Sequence, residues 1–298
     1  MERQFILSSE STVDLPYSHM AERNIPIIFY NYTVKDVEYV DDMGRDPQAR
    51  PNFYRMINEG AVPNTSLINQ QQYTDFFEEL LQKGDVLHIA FTSGQSSSVT
   101  NALAVAEELQ AKYPDRKIKV VDSLCSSSGM GLFVDYIADL ADEGKSMEEV
   151  YDWAIANRNK VHHQFFTSNM TQFRRTGRVS GPTAAIATIL NICPIMRLDD
   201  GGRIISYSKV RGKKKAVAET VSEMIKHAQN GTAYDGKCYI CNSNCIEDAR
   251  MLEAAVEKAF PALKGKIVMC DIGTIIASHS GPGTVAVFFM GDERLPQE

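Results

Sequence analysis

Val86-Leu87-His88-Ile89-Ala90-Phe91 is an unbroken apolar run of the length of a buried strand. It passes directly into Thr92-Ser93-Gly94-Gln95-Ser96-Ser97-Ser98, and Val99, Ala102, Leu103, Ala106 and Leu109 then fall on one face of a helix. A strand, a small hydroxyl-rich turn and a helix in that order leave few folds open, because parallel strands need helical crossovers to return. The same succession occurs twice more. Gln4–Leu7 reads as a strand entering Ser8-Ser9-Glu10-Ser11-Thr12, with Pro16 opening a helix through Arg23; Lys117–Asp122 enters Ser123–Ser128, with a helix over Gly129–Asp142. Ligands of open α/β sheets sit beyond the carboxyl ends of the strands, where these three clusters fall. Such turns supply free backbone N–H groups, hydroxyls and the positive end of a helix dipole, so they can hold an anion without a cation. The competing role is helix capping, with Ser96 or Ser97 as the cap.

Between these units, Ile25–Tyr30 and Tyr32–Val34 read as strands, Asp41–Pro51 as loop and Phe53–Glu59 as a short helix. Ala61-Val62-Pro63-Asn64-Thr65-Ser66 is a further exposed hydroxyl-bearing loop, followed by a helix over Gln70–Lys83 that Gly84 ends. Ser146-Met147-Glu148-Glu149 is a capping box opening a helix to about His162. The order of elements then changes. Gln164–Ser168 reads as a strand, Asn169–Arg175 as a short helix, and Pro182–Ile192 as a weak helix. Pro194–Leu198, Asp199-Asp200-Gly201-Gly202 and Arg203–Tyr207 form a hairpin, and a helix runs to His227. Cys238–Cys241, Ile246–Ala259 and Ile267–Asp271 make a strand–helix–strand unit before a last strand, Thr284–Met290. The chain therefore divides at 155–165 into two α/β domains, 1–160 with a parallel sheet and 161–298 with a mixed sheet.

A net charge of −7 argues against a broad nucleic-acid surface, and no apolar run approaches a membrane span. The N-terminus enters a strand without a signal-peptide pattern, which predicts a cytoplasmic protein with its six cysteines as free thiols. Cys238, Cys241 and Cys245 have metal-like spacing but lack a fourth ligand nearby, so no metal is expected there. Gly231-x4-Gly236-Lys237-Cys238 imitates a phosphate-binding loop, but it precedes a strand and ends in Cys. No cofactor is expected.

His279-Ser280-Gly281-Pro282-Gly283 places a hydrogen-bonding imidazole beside a glycine-rich turn. Its plain reading is turn chemistry with an incidental histidine. Gly94-Gln95-Ser96-Ser97-Ser98 lacks the closing glycine of a hydrolase elbow, which leaves a lipid or ester hydrolase using Ser93 or Ser96 as the alternative function. Arg174, Arg175, Arg178, Arg211 and Lys213–Lys215 concentrate positive charge in the second half, as a local patch or simply a solvated face.

Taken in order, Ser11-Thr12-x-Asp14-Leu15, Pro63-x-Thr65-Ser66, Thr92-Ser93-Gly94-x-Ser96, Val121-Asp122-Ser123, Thr176-Gly177-Arg178-Val179-Ser180-Gly181, Lys209-Val210-Arg211-x-Lys213-Lys214 and His279-x-Gly281-Pro282-Gly283 span nearly the whole chain. This set resembles the DegV family of bacterial fatty-acid-binding proteins. The resemblance implies two α/β domains with a lipid between them and a non-enzymatic carrier role. It implies a carboxylate held by Thr65, Ser93 and His279, with Ser66, Gly94, Ser96, Ser280 and Gly281 in the same site. It further implies presentation of the acyl chain to a fatty-acid kinase, with Arg178 and Arg211 at the partner surface and at most transient contact with a membrane. Glu10 stands where the family usually has Asp, which bears on the local turn. Leu67-Ile68 stands for Gln-Pro, which bears on the pocket wall.

Overall fold

The computed structural model describes residues 3–179 and 191–296. The first half runs β1 (Ile6–Glu10), α1 (Tyr17–Glu22), β2 (Ile27–Ile28), β3 (Asn31–Val34), β4 (Val37–Val40), α2 (Ala49–Asn58) and β5 (Asn64–Thr65). It continues with α3 (Gln70–Leu81), β6 (Val86–Ala90), α4 (Ser98–Lys112), β7 (Ile118–Asp122), α5 (Ser127–Asp142) and α6 (Met147–Asn157). The second half comprises β8 (Val161–Thr167), α7 (Thr171–Thr176), β9 (Ile192–Leu198), β10 (Ile204–Arg211) and α8 (Lys213–His227). It closes with β11 (Cys238–Asn242), α9 (Ile246–Ala259), β12 (Val268–Asp271), α10 (Thr274–Ser280) and β13 (Thr284–Met290).

Two main sheets result. The first is parallel, in the order β2-β1-β6-β7, and the second is mixed, in the order β10-β9-β8-β13-β11-β12. The strand–helix–strand unit of β11, α9 and β12 is parallel, while β13 runs antiparallel to both β11 and β8. The expected two-domain α/β architecture is present. The central strands β6, β8, β11 and β13 are buried along their whole length, although β8 carries His162, His163 and Gln164 into the interior.

Local expectations shift in instructive ways. Ser8 and Ser9 lie inside β1 rather than in the turn after it, because their hydroxyls are satisfied across the sheet: Ser8 bonds His88 and Ser9 donates to the Ile89 carbonyl. The helix opened by Ser146 has its capping box but ends at Asn157, since His162 already belongs to β8. Helix α2 begins at Ala49, inside the stretch expected as loop. The isolated strand at Tyr32 gains two partners, β4 and β5, in a small antiparallel sheet. The β3–β4 turn is Lys35-Asp36, both at positive φ, a conformation Asn-Gly would have signalled and Lys-Asp does not. The weak helix of Pro182–Ile192 lies outside the described residues except for Asn191, in a turn, and Ile192, which opens β9; Ser180 and Gly181 lie outside them too.

Candidate functional site

The carboxyl ends of β1, β6 and β7 face the second sheet, and a cavity of about 640 Å³ lies between them. Its floor follows from sheet register. Phe165, Ala286 and Cys241 stand in one row across β8, β13 and β11, with His163 and Phe288 in the next row. Successive strand residues alternate faces, so Thr284, Ala286 and Phe288 all look into the cavity while Val285 and Val287 do not. Ile272, Ile275 and Ile276 close one side, and Phe173, Leu198 and Ile204 another. His163 is inert here: its Nε2 accepts from the Ser126 N–H at 3.0 Å and its Nδ1 donates to the Val161 carbonyl at 3.1 Å. That pairing fixes a neutral ring, and burial holds its pKa well below the usual value.

The polar mouth is built from loops. Thr92 Oγ1 accepts from the Gly94 N–H and donates to the Gly202 carbonyl, and Asp122 accepts from the N–H groups of both Ser93 and Leu124. The 92–98 and 123–126 turns are thereby tied to each other and to the tip of the β9–β10 hairpin. Ser97 occupies the cap position of α4 without a side-chain cap bond; Ser96 Oγ instead accepts from the Ser98 N–H at 3.2 Å. Ser98 Oγ in turn accepts from the Ile68 N–H, which fixes the 63–68 loop against α4.

Glu10 explains how its extra methylene is accommodated. Its buried carboxylate accepts from Tyr30 and Tyr73 hydroxyls at 3.1 and 2.5 Å and from the Phe91 N–H at 2.9 Å. The carboxylate therefore supports the 92–98 turn from beneath.

Helix α10 brings the imidazole. The glycine-rich stretch is not simply a turn: His279 and Ser280 form the last turn of this helix, and Gly281 ends it at φ +69°. Asp41 from the first half accepts from the N–H and Oγ1 of Thr274, the first residue of α10, at 3.2 and 2.9 Å. Burial raises the Asp41 carboxyl to about 6, and burial together with Asp41 pushes Asp14 well up. So docked, α10 delivers His279 Nε2 to 2.9 Å from Thr65 Oγ1, a contact across 214 residues of sequence.

Thr65, Ser66, Ser93, Gly94, Ser96, His279 and Ser280 all border the cavity, as does Arg178. Gly281 does not; its carbonyl accepts from Ser243 and its α-carbon packs on Gln172. Arg211 is exposed at the end of β10 and is not among the cavity residues. Ser126, Ser127 and Tyr30 carry no individual signal as wall residues in the sequence, and Arg175, legible there only as part of the basic patch, donates to the Pro63 carbonyl and braces the mouth across the two halves. Leu67, 49% exposed, stands at the rim. The six cysteines are free thiols. No helix among the described residues is long and apolar enough to cross a membrane.

A family model described as an uncharacterised protein of the DegV family matches residues 6–292. The chain belongs to the DegV family. The DegV domain-containing protein CPE0026 of Clostridium perfringens is 34% identical over 297 residues, covering 99% of this chain and all of the relative. Among solved structures, a DegV lipid binding protein from Thermotoga maritima superposes with a TM-score of 0.83 at 24% identity, covering 99% of this chain and 100% of that one. The Streptococcus pneumoniae Fatty Acid Kinase (Fak) B3 protein loaded with linoleic acid gives 0.81 at 20% identity, covering 98% and 100%. These likenesses show that this DegV chain shares the fold of proteins that bind fatty acids.

Burial lowers the His279 pKa to about 4, with Arg178 and Arg175 adding to the effect. Between pH 6.5 and 4 the unfolded chain therefore binds more protons at this position than the folded one, and stability falls as pH falls through that window. The share owed to His279 is on the order of 2 kcal/mol at pH 4.5. Urea unfolding at pH 7 and pH 4.5 checks it. His279→Gln, which cannot protonate, loses about that much less stability than wild type on going to the lower pH.

Proposed function

We propose that this protein is a carrier of long-chain fatty acids. The acyl tail lies in the apolar cavity, and the carboxylate is held at the mouth by Thr65, Ser93 and His279. The observation that carries this reading is the Thr65–His279 pair, one residue from each half, at the open end of a cavity whose depth is apolar. With the ring proton on Nε2, His279 donates to Thr65 Oγ1 and leaves the threonine hydroxyl free to donate to an anion. Hydrogen bonds to a charged acceptor are the stronger kind, so neutral donors suffice. Arg175 and Arg178 add a positive field at the mouth. A tail of about 16 carbons buried at ~0.8 kcal/mol per methylene gains on the order of 10 kcal/mol before association costs. The volume also falls within the range of about 300–1,000 Å³ usual for small-molecule sites.

The arrangement favours a carrier over a hydrolase. A serine nucleophile needs a histidine base that a third group orients. His279 Nε2 is taken by Thr65 and its buried Nδ1 meets no partner among the described residues. Ser96 bonds Ser98 instead of an imidazole.

Mass spectrometry of an organic extract of the purified protein is expected to recover long-chain fatty acids. Thr65→Val is expected to weaken binding of added palmitate about tenfold, the worth of one charge-assisted hydrogen bond. Recovery of no acyl chain together with no palmitate binding would sink the proposal. The carrier hands its acyl chain to a fatty-acid kinase through the Arg178 and Arg211 surface. Charge reversal at Arg211, which does not line the cavity, is expected to slow acyl-phosphate formation by such a kinase while palmitate affinity stays unchanged; an unaltered rate would remove that assignment.

A further inference from the structure

His162 neighbours the cavity residue His163 in sequence, but strand alternation turns it to the opposite face of the second sheet. There it meets the end of α8 and the segment that follows β13. His162 Nε2 lies 2.9 Å from Asp292 Oδ1, and His227 Nδ1 lies 3.1 Å from both Asp292 carboxylate oxygens. One ligand atom from each of the three residues lies within 4.8 Å of the others. We propose that His162, His227 and Asp292 form a binding site for a borderline divalent transition-metal ion, of which Zn²⁺ is the representative.

The donor set is right for that class of ion: two imidazoles and one carboxylate, with a further position left for water. Tetrahedral ligands at about 2.05 Å from Zn²⁺ stand about 3.3 Å apart, close to the two nitrogen–oxygen separations seen here. An ion would replace the bond of His162 Nε2 with the Asp292 backbone carbonyl at 3.0 Å and tilt the His227 ring out of its stack; three further observations favour the site. His162 is 3% exposed, so one ligand is fixed in the core, stacked on Phe289 with ring centroids 5.2 Å apart. The His227 ring stacks on His162 at 5.0 Å, and its other nitrogen, Nε2, faces Glu223 Oε2 at 3.6 Å. A carboxylate hydrogen-bonded behind a ligating histidine sets the tautomer and ring orientation; Glu223 is a small shift from that bond, which would leave Nδ1 as the ligand. Gly291 makes the approach feasible: a Cβ there would lie 2.2 Å from the His227 carbonyl and 2.8 Å from the His162 ring.

An ion at this point would clip the C-terminal segment to α8 and β8. That segment reaches on to Arg294, whose guanidinium donates to the Leu124 carbonyl and to Asn159 Oδ1 in the first half. The clip would therefore stiffen the strap that joins the halves on the side away from the cavity floor.

The test uses full-length, tag-free protein stripped with EDTA and titrated with ZnCl₂ against a chromophoric chelator. Wild type is expected to take up one equivalent and to melt several degrees higher with zinc. His227→Gln and Asp292→Asn are each expected to weaken uptake at least tenfold and to abolish the shift, while melting like wild type without metal. Glu223→Gln is expected to weaken uptake about tenfold through the orienting contact. Cys245→Ala, which removes the partly exposed thiol, should leave uptake unchanged. No uptake by wild type, or equal uptake by wild type, His227→Gln and Asp292→Asn, overturns the proposal.

Discussion

Ala286→Phe is expected to abolish tight binding of long-chain fatty acids while the protein stays folded. Ala286 sits at the centre of the cavity floor on β13, flanked by Phe165 and Cys241 in the same row. Its small side chain leaves the space that the proposed acyl tail fills. A benzyl group there displaces about four methylenes, worth about 3 kcal/mol, which corresponds to a loss of at least 100-fold in affinity. The ring enters existing empty space, so the melting temperature changes by no more than a few degrees. Isothermal titration with palmitate reads the affinity, and circular dichroism reads the fold. Wild-type affinity in a folded variant would place the tail elsewhere.

Gly202→Ala is the second large effect, this time on stability. Gly202 lies at the tip of the β9–β10 hairpin with φ +71°, and a Cβ there would come 2.0 Å from Thr92 Oγ1 and 3.1 Å from the Leu124 carbonyl. Those atoms belong to the two turns at the cavity mouth. The facing Gly94 is equally constrained, since its own Cβ would meet the Gly201 carbonyl oxygen at 2.4 Å. Left-handed backbone costs about 1 kcal/mol for alanine and the overpacking adds roughly 2, a total of about 3 kcal/mol. For a chain of this size that lowers the melting temperature by roughly 5 °C. Gly265→Ala is the matched control: φ is again +71°, but nothing lies within 4 Å of the new methyl group. It is expected to cost about 1 kcal/mol. Equal losses in the two variants would show that backbone conformation alone matters and that the hairpin contact contributes nothing.

Much of the fold could be read from local pattern. The buried strands β6, β11 and β13 are largely apolar runs, and α6 announces itself through Ser146 and Glu149. What escaped was set by distant partners. Strand β5 is two residues long and exists because Tyr32 and Thr33 pair with it. Helix α10 hides behind glycine and proline signals, and Asp41, more than two hundred residues earlier, secures its first turn. The mouth of the site was legible as hydroxyl clusters because each follows a strand. The meeting of Thr65 with His279 rested on resemblance, since no local periodicity relates the two. The His162, His227 and Asp292 cluster carried no signal: its members are separated by 65 residues at each step and have no motif spacing.

The Thr65–His279 contact has a mechanical consequence. Because the two members come from opposite halves, a carboxylate held by the Thr65 hydroxyl that His279 orients would lock this bond in place, resisting separation of the lobes. Cargo and closure would then reinforce each other, and the filled protein would resist proteolysis at the seam better than the empty one. Unloading would require leverage on the seam alone: prying the lobes apart would dissolve the head-group grip at once and leave the tail free to slide out.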